Sequence, residues 1–527
     1  MRLRTLLLNC LLLAPVLIAG AQERQVRDFR FAVETTPALE LGNPAALSLW
    51  NGHLSMAEVS GRKENGALIS LDASPDAFCV GVGTESYYRI SDRMVFHGKL
   101  SWSDFQGKEM GGQVLMDPVF HPVNFLESSE STVGTKKREL YGLIGELSYQ
   151  FSEKWSAGFL ADYRAGDQTK IKDPRFSNIL MDLDLKAGVA FRPSTDMLLG
   201  CSLQFRNRLE QVRGGIYGTT DQQYFVATDK GGFFGVVETL SGDQNYMPAS
   251  SLRPMDNRFY GVSLQVLLKQ RFSQVLSIRY RDGYYGKKAT TSPVFFEFSG
   301  PEAAYEGKLL LPAGNDLHRL SWSAGFAFLG NEENQLRYVT PAGQSTQVEY
   351  MGQNHILDRT DLRASADYRW YHDASGPRPA LTLGSRVSFF SRSQTTTLYP
   401  YYRNHAYHSV SADLSGQKAM CWGNTSLVLD LGISFHTGWG VDKEDGILAS
   451  STATSLRSFD NYLDRQFEYD TAARAGGECS VMVARRFKKS FEPYLKLSDR
   501  FLALFAEPQY LGGRTRNVAC ISLGCNF

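Results

Sequence analysis

The sequence predicts an all-β fold: a transmembrane antiparallel β-barrel of about eighteen strands, with fourteen and sixteen as alternative counts, short turns at one end and long loops at the other. Three observations lead there. Apolar and polar residues alternate over segments long enough to cross a bilayer, short connections alternate with long ones, and an export signal begins the chain.

Arg2 and Arg4 precede an apolar stretch from Leu6 to Ile18, and Ala19 and Ala21 follow in A-x-A spacing. This is the pattern of a cleavable secretory signal, residues 1–21, with cleavage after Ala21. A helix spanning a bilayer needs about 20 apolar residues, and this run is shorter and broken by Asn9 and Pro15. Cys10 lies inside the run without a small residue before it at a processing site, so no lipid attachment is expected. Cleavage removes two basic residues and no acidic one, so 56 Lys and Arg against 55 Asp and Glu become 54 against 55. So balanced a chain has no electrostatic footprint for nucleic acid. At 527 residues a soluble protein would divide its core between domains, since single cores stop growing at around 250 to 300 residues. A barrel is exempt from that limit. No later apolar run approaches helical spanning length, while aromatics make up 12% of the chain; a helical membrane protein is excluded and a β-rich one is not.

Residues 22–50 are then an N-terminal extension or a small hatch in the lumen, and residues 51–527 the barrel. Segments 51–61 and 77–90 make a first hairpin; a further strand at Gly66–Leu71 would break the even parity of bacterial barrels. From residue 93 onward, apolar residues recur at every second position. Examples are Phe96, Leu100 and Trp102; Tyr141, Leu143 and Leu147; Trp155, Phe159 and Tyr163; Leu320, Trp322 and Phe326; Leu427, Leu429 and Leu431. These segments run to about ten to fourteen residues, whereas a tilted strand crosses a bilayer in about 9 to 11 and soluble strands average about five or six. Short turns are read near 152–154, 194–196, 272–273, 330–333, 374–377, 418–423 and 488–490. Long loops are read near 107–138, 166–179, 209–257, 287–317, 341–360, 393–406, 438–474 and 502–515. Eight long loops imply sixteen strands, and the first hairpin completes eighteen.

Facing follows from energy. In Asp361–Tyr371 one face reads Leu362, Ala364, Ala366, Tyr368, Trp370 and the other Asp361, Arg363, Ser365, Asp367, Arg369, Tyr371. An Arg turned to lipid costs roughly 2 to 4 kcal/mol at the midplane, so the charged face lines the lumen. The same reasoning turns Arg206, Arg208, Arg279, Arg281, Arg369, Arg386, Asp184 and Asp367 inward as pore-lining candidates. Arg206/Arg208 and Arg279/Arg281 are the expected site of a constriction for anions. The competing reading is a set of cross-strand ion pairs that fill and stiffen a wide barrel.

Aromatic pairs such as Tyr87-Tyr88, Tyr284-Tyr285, Phe389-Phe390 and Tyr401-Tyr402 fall near strand ends and suggest interfacial girdles. Six cysteines remain after cleavage, scattered and without CxxC spacing, so neither a disulfide framework nor a metal site is expected. His405-x-x-His408, His408-Ser409 and His436 near Asp430 are the only suggestive catalytic groupings. Residues three apart on a strand face oppositely, so the two His cannot share a metal. No catalytic residue, metal or cofactor is assigned, and no enzyme activity is expected.

Ala519, Ile521, Leu523, Cys525 and Phe527 share one face of a last strand that ends on an aromatic. This resembles the signal by which the barrel assembly machinery recognises outer-membrane barrels. Leu41-Gly42-Asn43-Pro44-Ala45-Ala46-Leu47 resembles the NPA stretch of fatty-acid-transporter-type barrels, which implies a hatch inside the lumen. Over most of its length the chain resembles uncharacterised Gram-negative outer-membrane barrel families that accompany surface-nutrient uptake systems. Only about 30 mature residues precede the first strand, too few for the plug of a TonB-dependent receptor, whose barrel has about 22 strands. These resemblances imply a channel or transporter for small solutes in the cell outer membrane. Its surroundings would be outer-membrane lipid and lipopolysaccharide. The alternatives are a non-conducting barrel that binds or scaffolds another envelope protein and, third, a barrel hydrolase.

Overall fold

A computed structural model of the chain describes residues 28–127, 132–218, 221–289, 292–376, 378–450, 458–487 and 491–527. The signal sequence at 1–21 and the turn read at 488–490 lie outside the described residues. The strands are β1 (His53–Asn65), β2 (Asp76–Ser91), β3 (Met94–Met110), β4 (Asn124–Glu127), β5 (Gly134–Gln150), β6 (Trp155–Ile171) and β7 (Arg175–Ser194). Next come β8 (Met197–Gly215), β9 (Phe225–Asp229), β10 (Gly235–Thr239), β11 (Arg253–Leu268), β12 (Phe272–Ala289), β13 (Ser292–Ala313) and β14 (Asp316–Val339). The remainder are β15 (Gln347–His372), β16 (Leu381–Leu398), β17 (Tyr401–Trp422), β18 (Thr425–Ile447), β19 (Arg474–Arg485), β20 (Glu492–Leu504) and β21 (Thr515–Asn526). Among the described residues two helices, α1 (Phe29–Glu34) and α2 (Asp460–Thr471), lie off the wall.

Eighteen strands form one antiparallel meander, and β1 pairs with β21 to close it. The backbone of Phe527 exchanges two hydrogen bonds with Ser55, at 2.8 and 2.9 Å, which finishes the seam. The large apolar residues of the alternating pattern point outward: Leu203, Leu431, Ile433 and Leu523 are all more than 60% exposed. Only lipid makes such a surface stable. On β15, Leu362 and Tyr368 face out, while Arg359 and Asp361 are buried inside.

The strand count stands, although four of the expected loops and turns change. The expected loop 287–317 is largely strand β13, and the expected turn 330–333 lies within β14. The outward positions of β13 are Pro301, Ala303, Tyr305, Gly307, Leu309 and Leu311, so proline and small residues obscure the period. In β14 the polar run Asn331-Glu332-Glu333-Asn334 stays paired with β15 through two bulges. Segments 166–179 and 393–406 are likewise mostly strand, turning only at 172–174 and 399–400. Beyond the bilayer both faces are polar, so the alternation disappears while the hydrogen-bonded ladder continues. Neighbouring strand residues point oppositely, so each aromatic pair contributes only one ring to a girdle. Tyr88 is outside and Tyr87 inside; Tyr285 is fully buried in the lumen.

Residues 28–50 sit in the lumen at the short-turn end as α1 and two 3-10 turns, Pro37–Glu40 and Pro44–Leu49. Asn43 caps the second turn by accepting from the Ala45 N–H at 2.9 Å, and its amide donates to the carbonyls of Val189 (3.1 Å) and Cys201 (3.3 Å) and to Gln265 (3.0 Å). Ser148 and Ser156 each donate to the Ala45 carbonyl at 3.0 Å. The wall beneath is a footprint of glycines: a Cβ on Gly158 would stand 2.3 Å from Pro44, one on Gly188 2.0 Å from Asn43, and one on Gly200 2.7 Å from Asn43. Gly188→Ala should therefore weaken docking by about 1–3 kcal/mol. The expected readout is tryptic cleavage after Arg30, accelerated at least about fivefold; an unchanged rate would show that the footprint does not hold the hatch.

Candidate functional site

Toward the long-loop end, segment 111–123 between β3 and β4 dips into the lumen. Glu210 of β8, wholly buried, anchors it by accepting from the Met116 N–H (2.8 Å), His121 Nε2 (3.2 Å) and Asn178 (2.7 Å). Burial holds the His121 imidazole below its usual range against the pull of Glu210, so at neutral pH it is an uncharged donor. Lys136 of β5 donates to the Gln113 carbonyl at 2.5 Å.

The tip of this segment meets a group of arginines. The Phe120 ring lies 4.3 Å from the Arg281 guanidinium, 4.5 Å from Arg208 and 5.9 Å from Arg206. Its carbonyl accepts from Arg281 (3.1 Å) and Arg359 (3.2 Å), that of His121 from Arg359 (2.9 Å), and that of Val119 from Arg392 (3.4 Å). Against this tip lies a chamber of about 480 Å³. Arg206, Arg279, Arg281, Arg359, Arg363 and Arg392 line it, opposed by Asp117, Glu302, Glu306 and Asp361.

Several of these arginines are neutralised. Arg206 grips Asp182 with two bonds of 2.8 and 2.6 Å, Arg392 grips Asp361 with two of 2.7 Å, and Arg279 meets Glu302 at 2.7 Å. Others are not. Arg281 donates to Asn257 and to the Phe120 carbonyl, and Arg363 lies over the Phe390 ring at 5.4 Å. Among the described residues neither has a carboxylate within 4 Å, and Arg359 reaches Asp361 only at 4.0 Å. The chamber thus holds cationic groups whose partners are neutral.

The hatch bounds a second cavity of about 320 Å³, lined by Glu40, Lys308, Arg319, Asp367, Arg369 and Arg386. Glu306 and Ser323 line both cavities, so the two adjoin along the inner faces of β13 and β14. Glu34 accepts from Arg369 (2.6 Å) and Tyr371 (2.9 Å), and Glu40 from Lys308 and Arg319. Burial would raise the Glu34 carboxyl, but Arg369 and Arg30 beside it hold it below the usual carboxylate range.

Of the residues expected in the pore, Arg206, Arg208 and Arg281 come together around Phe120, and Arg279, 5.8 Å from the Phe259 ring, lines the same chamber. Arg369, Asp367 and Arg386 lie lower, at the hatch, and Asp184 stands apart, accepting from Gln204 at 2.9 and 2.8 Å. Arg359, Phe120, Glu34 and Glu40 escaped the sequence reading. The spacing Arg359-x-Asp361-x-Arg363 did carry a signal for the first, since it continues the period of the charged face. His405 turns inward against Phe467, and His408 outward between Phe389 and Trp439. His436 meets Ser411 and the Asp470 carbonyl instead of Asp430. Among the described residues no group of three His, Cys, Asp or Glu is placed to hold a metal.

Such a barrel, with a charged chamber between a hatch and an inward loop, defines a class of transmembrane protein. The chain belongs to DUF6850, a family of unknown function whose model matches residues 44–527. No curated protein matches it. Solved structures with a similar fold include BauA, the ferric preacinetobactin receptor of Acinetobacter baumannii, at 10% identity over 91% of this chain and 80% of that one, TM-score 0.40. Another is a FadL homologue of Pseudomonas aeruginosa, at 11% identity over 96% and 99%, TM-score 0.31.

A cap closes over the chamber. Strands β10, β9 and β4 form a small sheet, and Leu463 of α2 is buried against Leu126, Ala227 and Phe233. Lys230 of the cap pairs with Glu333 of β14 at 2.6 Å, and Arg403 of β17 donates to the Gly232 carbonyl at 3.1 Å. Burial pushes the carboxyls of Asp229 and Asp470 up to about 6. Because these folded values exceed the unfolded one, the closed cap is most stable below about pH 4, loses stability as the pH rises to about 6, and is level above that. A two-unit shift corresponds to roughly 3 kcal/mol for each group. Nitroxides at Ser241 and Gln344, both exposed, should report a smaller open fraction at pH 5 than at pH 7.5, and Asp229→Asn with Asp470→Asn should flatten that response. An identical distance distribution at both pH values in the unsubstituted cap would rule it out.

Proposed function

We propose that this protein resides in the outer membrane of a Gram-negative bacterium, with its short turns in the periplasm, and conducts a small anionic solute across that membrane. Its signal sequence would export it, the assembly machinery would read the strand ending at Phe527, and lipid and lipopolysaccharide would surround the apolar wall. It acts as a conduit and catalyses no reaction. The carrying observation is Arg281, Arg359 and Arg363: three guanidiniums in one chamber whose closest partners are carbonyls, an amide and a ring. An anion brings each a full opposite charge, which a carbonyl, an amide or a ring does not. Mixed charges that only stiffened the wall would be paired off, as Arg206 and Arg392 are.

A scaffold role is the second reading, favoured by β14 and β15, whose 24 and 26 residues carry exposed Tyr338, Tyr350 and Met351 beyond the bilayer. Planar bilayers under a potassium chloride gradient separate the two. The expected result is an anion-selective reversal potential, with selectivity lost in Arg281→Gln/Arg363→Gln and current raised by Phe120→Ala. Silence in all three proteins, each shown folded by heat-modifiable gel mobility, would leave the scaffold reading.

A further inference from the structure

The hatch is held to the wall in two different ways. On the side of β5, β6, β7, β8 and β11 its contacts are neutral: the glycine footprint, the Asn43 amide and the two serines on the Ala45 carbonyl. On the side of β13, β14 and β15 they are ionic. There Glu34 reaches Arg369, and Glu40 reaches Lys308 and Arg319. The ionic side is also incompletely satisfied. Arg319 is paired with Asp367 of the wall at 2.7 Å but meets Glu40 only at 3.5 Å, the edge of a hydrogen bond, and its Nε is buried with no partner among the described residues. Arg386, in the same cavity, has no ion pair within 4 Å among the described residues. A buried unpaired donor carries a desolvation cost that a bound anion relieves.

We propose that Lys308, Arg319 and Arg369 form a binding site for a small di- or tricarboxylate, which Glu34 and Glu40 of the hatch occupy in its place. This deepens the transport reading and rests on it: the anion that enters the upper chamber passes along β13 and β14 into this cavity. There its carboxylates replace those of the hatch. The cavity, at about 320 Å³, suits a small ligand. Two carboxylates on one short segment, facing three cations, are the pattern that a polycarboxylate copies and a monovalent ion does not. Displacement frees the Glu34 and Glu40 contacts, while the neutral edge and the Asp28–Arg378 pair at 2.9 Å remain as a hinge.

The test is calorimetric titration of the purified full-length barrel with tricarballylate. The internal competitor lowers apparent affinity, so Glu34→Gln/Glu40→Gln should bind at least about tenfold more tightly than the parent chain, and Arg319→Gln in that background should lose the gain. A tighter complex cannot come from a misfolded barrel. In the parent chain, tricarballylate should also accelerate tryptic cleavage after Arg30 beyond what sodium chloride of equal ionic strength does. Equal or weaker binding by the folded double variant overturns the site, as does inorganic phosphate binding better than tricarballylate. Anion current in the absence of tricarballylate binding removes this site and leaves the transport reading intact. Binding without current in any variant does the reverse.

Discussion

Every other feature depends on closing the ring between β1 and β21. In a bilayer an unpaired backbone amide or carbonyl costs several kcal/mol, so a sheet can cross only if its two edge strands find each other. The seam meets this demand by register, with Val59 opposite Leu523 and Gly61 opposite Ile521, and by the terminal backbone of Phe527 bonded to Ser55. Closing eighteen strands has a second consequence. About eight strands make a ring that wall side chains can fill, and eighteen leave a wide lumen that they cannot. The inner wall must therefore be polar, and further chain must enter from each end.

That further chain is held by interactions of unlike kind. Neutral contacts at the glycine footprint depend on shape and are indifferent to salt. Ion pairs in a wet lumen are each worth little, about 0 to 1 kcal/mol when exposed, and ions of the medium weaken them. Where such pairs are buried, as with Lys308 and Glu40, removing one partner leaves an uncompensated charge, so exchange of one anion for another is favoured over simple release. The ionic edge is therefore sensitive to what the solution contains, while the neutral edge preserves the position of the hatch.

The fold was more legible than the site because the wall obeys a local rule. Within the bilayer each strand residue faces either lipid or lumen, and Leu362, Arg363, Ala364 and Ser365 declare their faces by type alone. The rule failed where its cause was missing. Pro301 and Gly307 on the outside of β13 weakened the apolar half of the pattern, and above the membrane Gln394 to Thr397 had no lipid to answer to. The pairs Arg206/Arg208 and Arg279/Arg281 were visible as wall residues. The meeting of Arg206, Arg208 and Arg281 at Phe120 was not, because segment 111–123 contacts strands more than a hundred residues away through its backbone carbonyls. Carbonyls are the same in every sequence. The hatch was foreshadowed by the resemblance at Asn43-Pro44-Ala45, yet Glu34 and Glu40 looked like ordinary helix acids until the wall opposite them was known.

The two cavities also differ in what an incoming anion must displace, and this orders them. In the upper chamber Arg281 and Arg359 are held by the carbonyls of Phe120 and His121, which are neutral and belong to a segment anchored elsewhere by Glu210. An anion competes there against acceptors that carry no net charge. In the lower cavity it competes against carboxylates, its equals in charge. On the transport reading the upper site is therefore taken at lower anion concentration than the lower one. An anion already seated above raises the local concentration along the shared wall at Glu306 and Ser323, where exchange with the hatch must occur. On that reading the solute is sampled at the cap before the hatch is disturbed, because the weaker holder faces the long loops and the stronger faces the short turns.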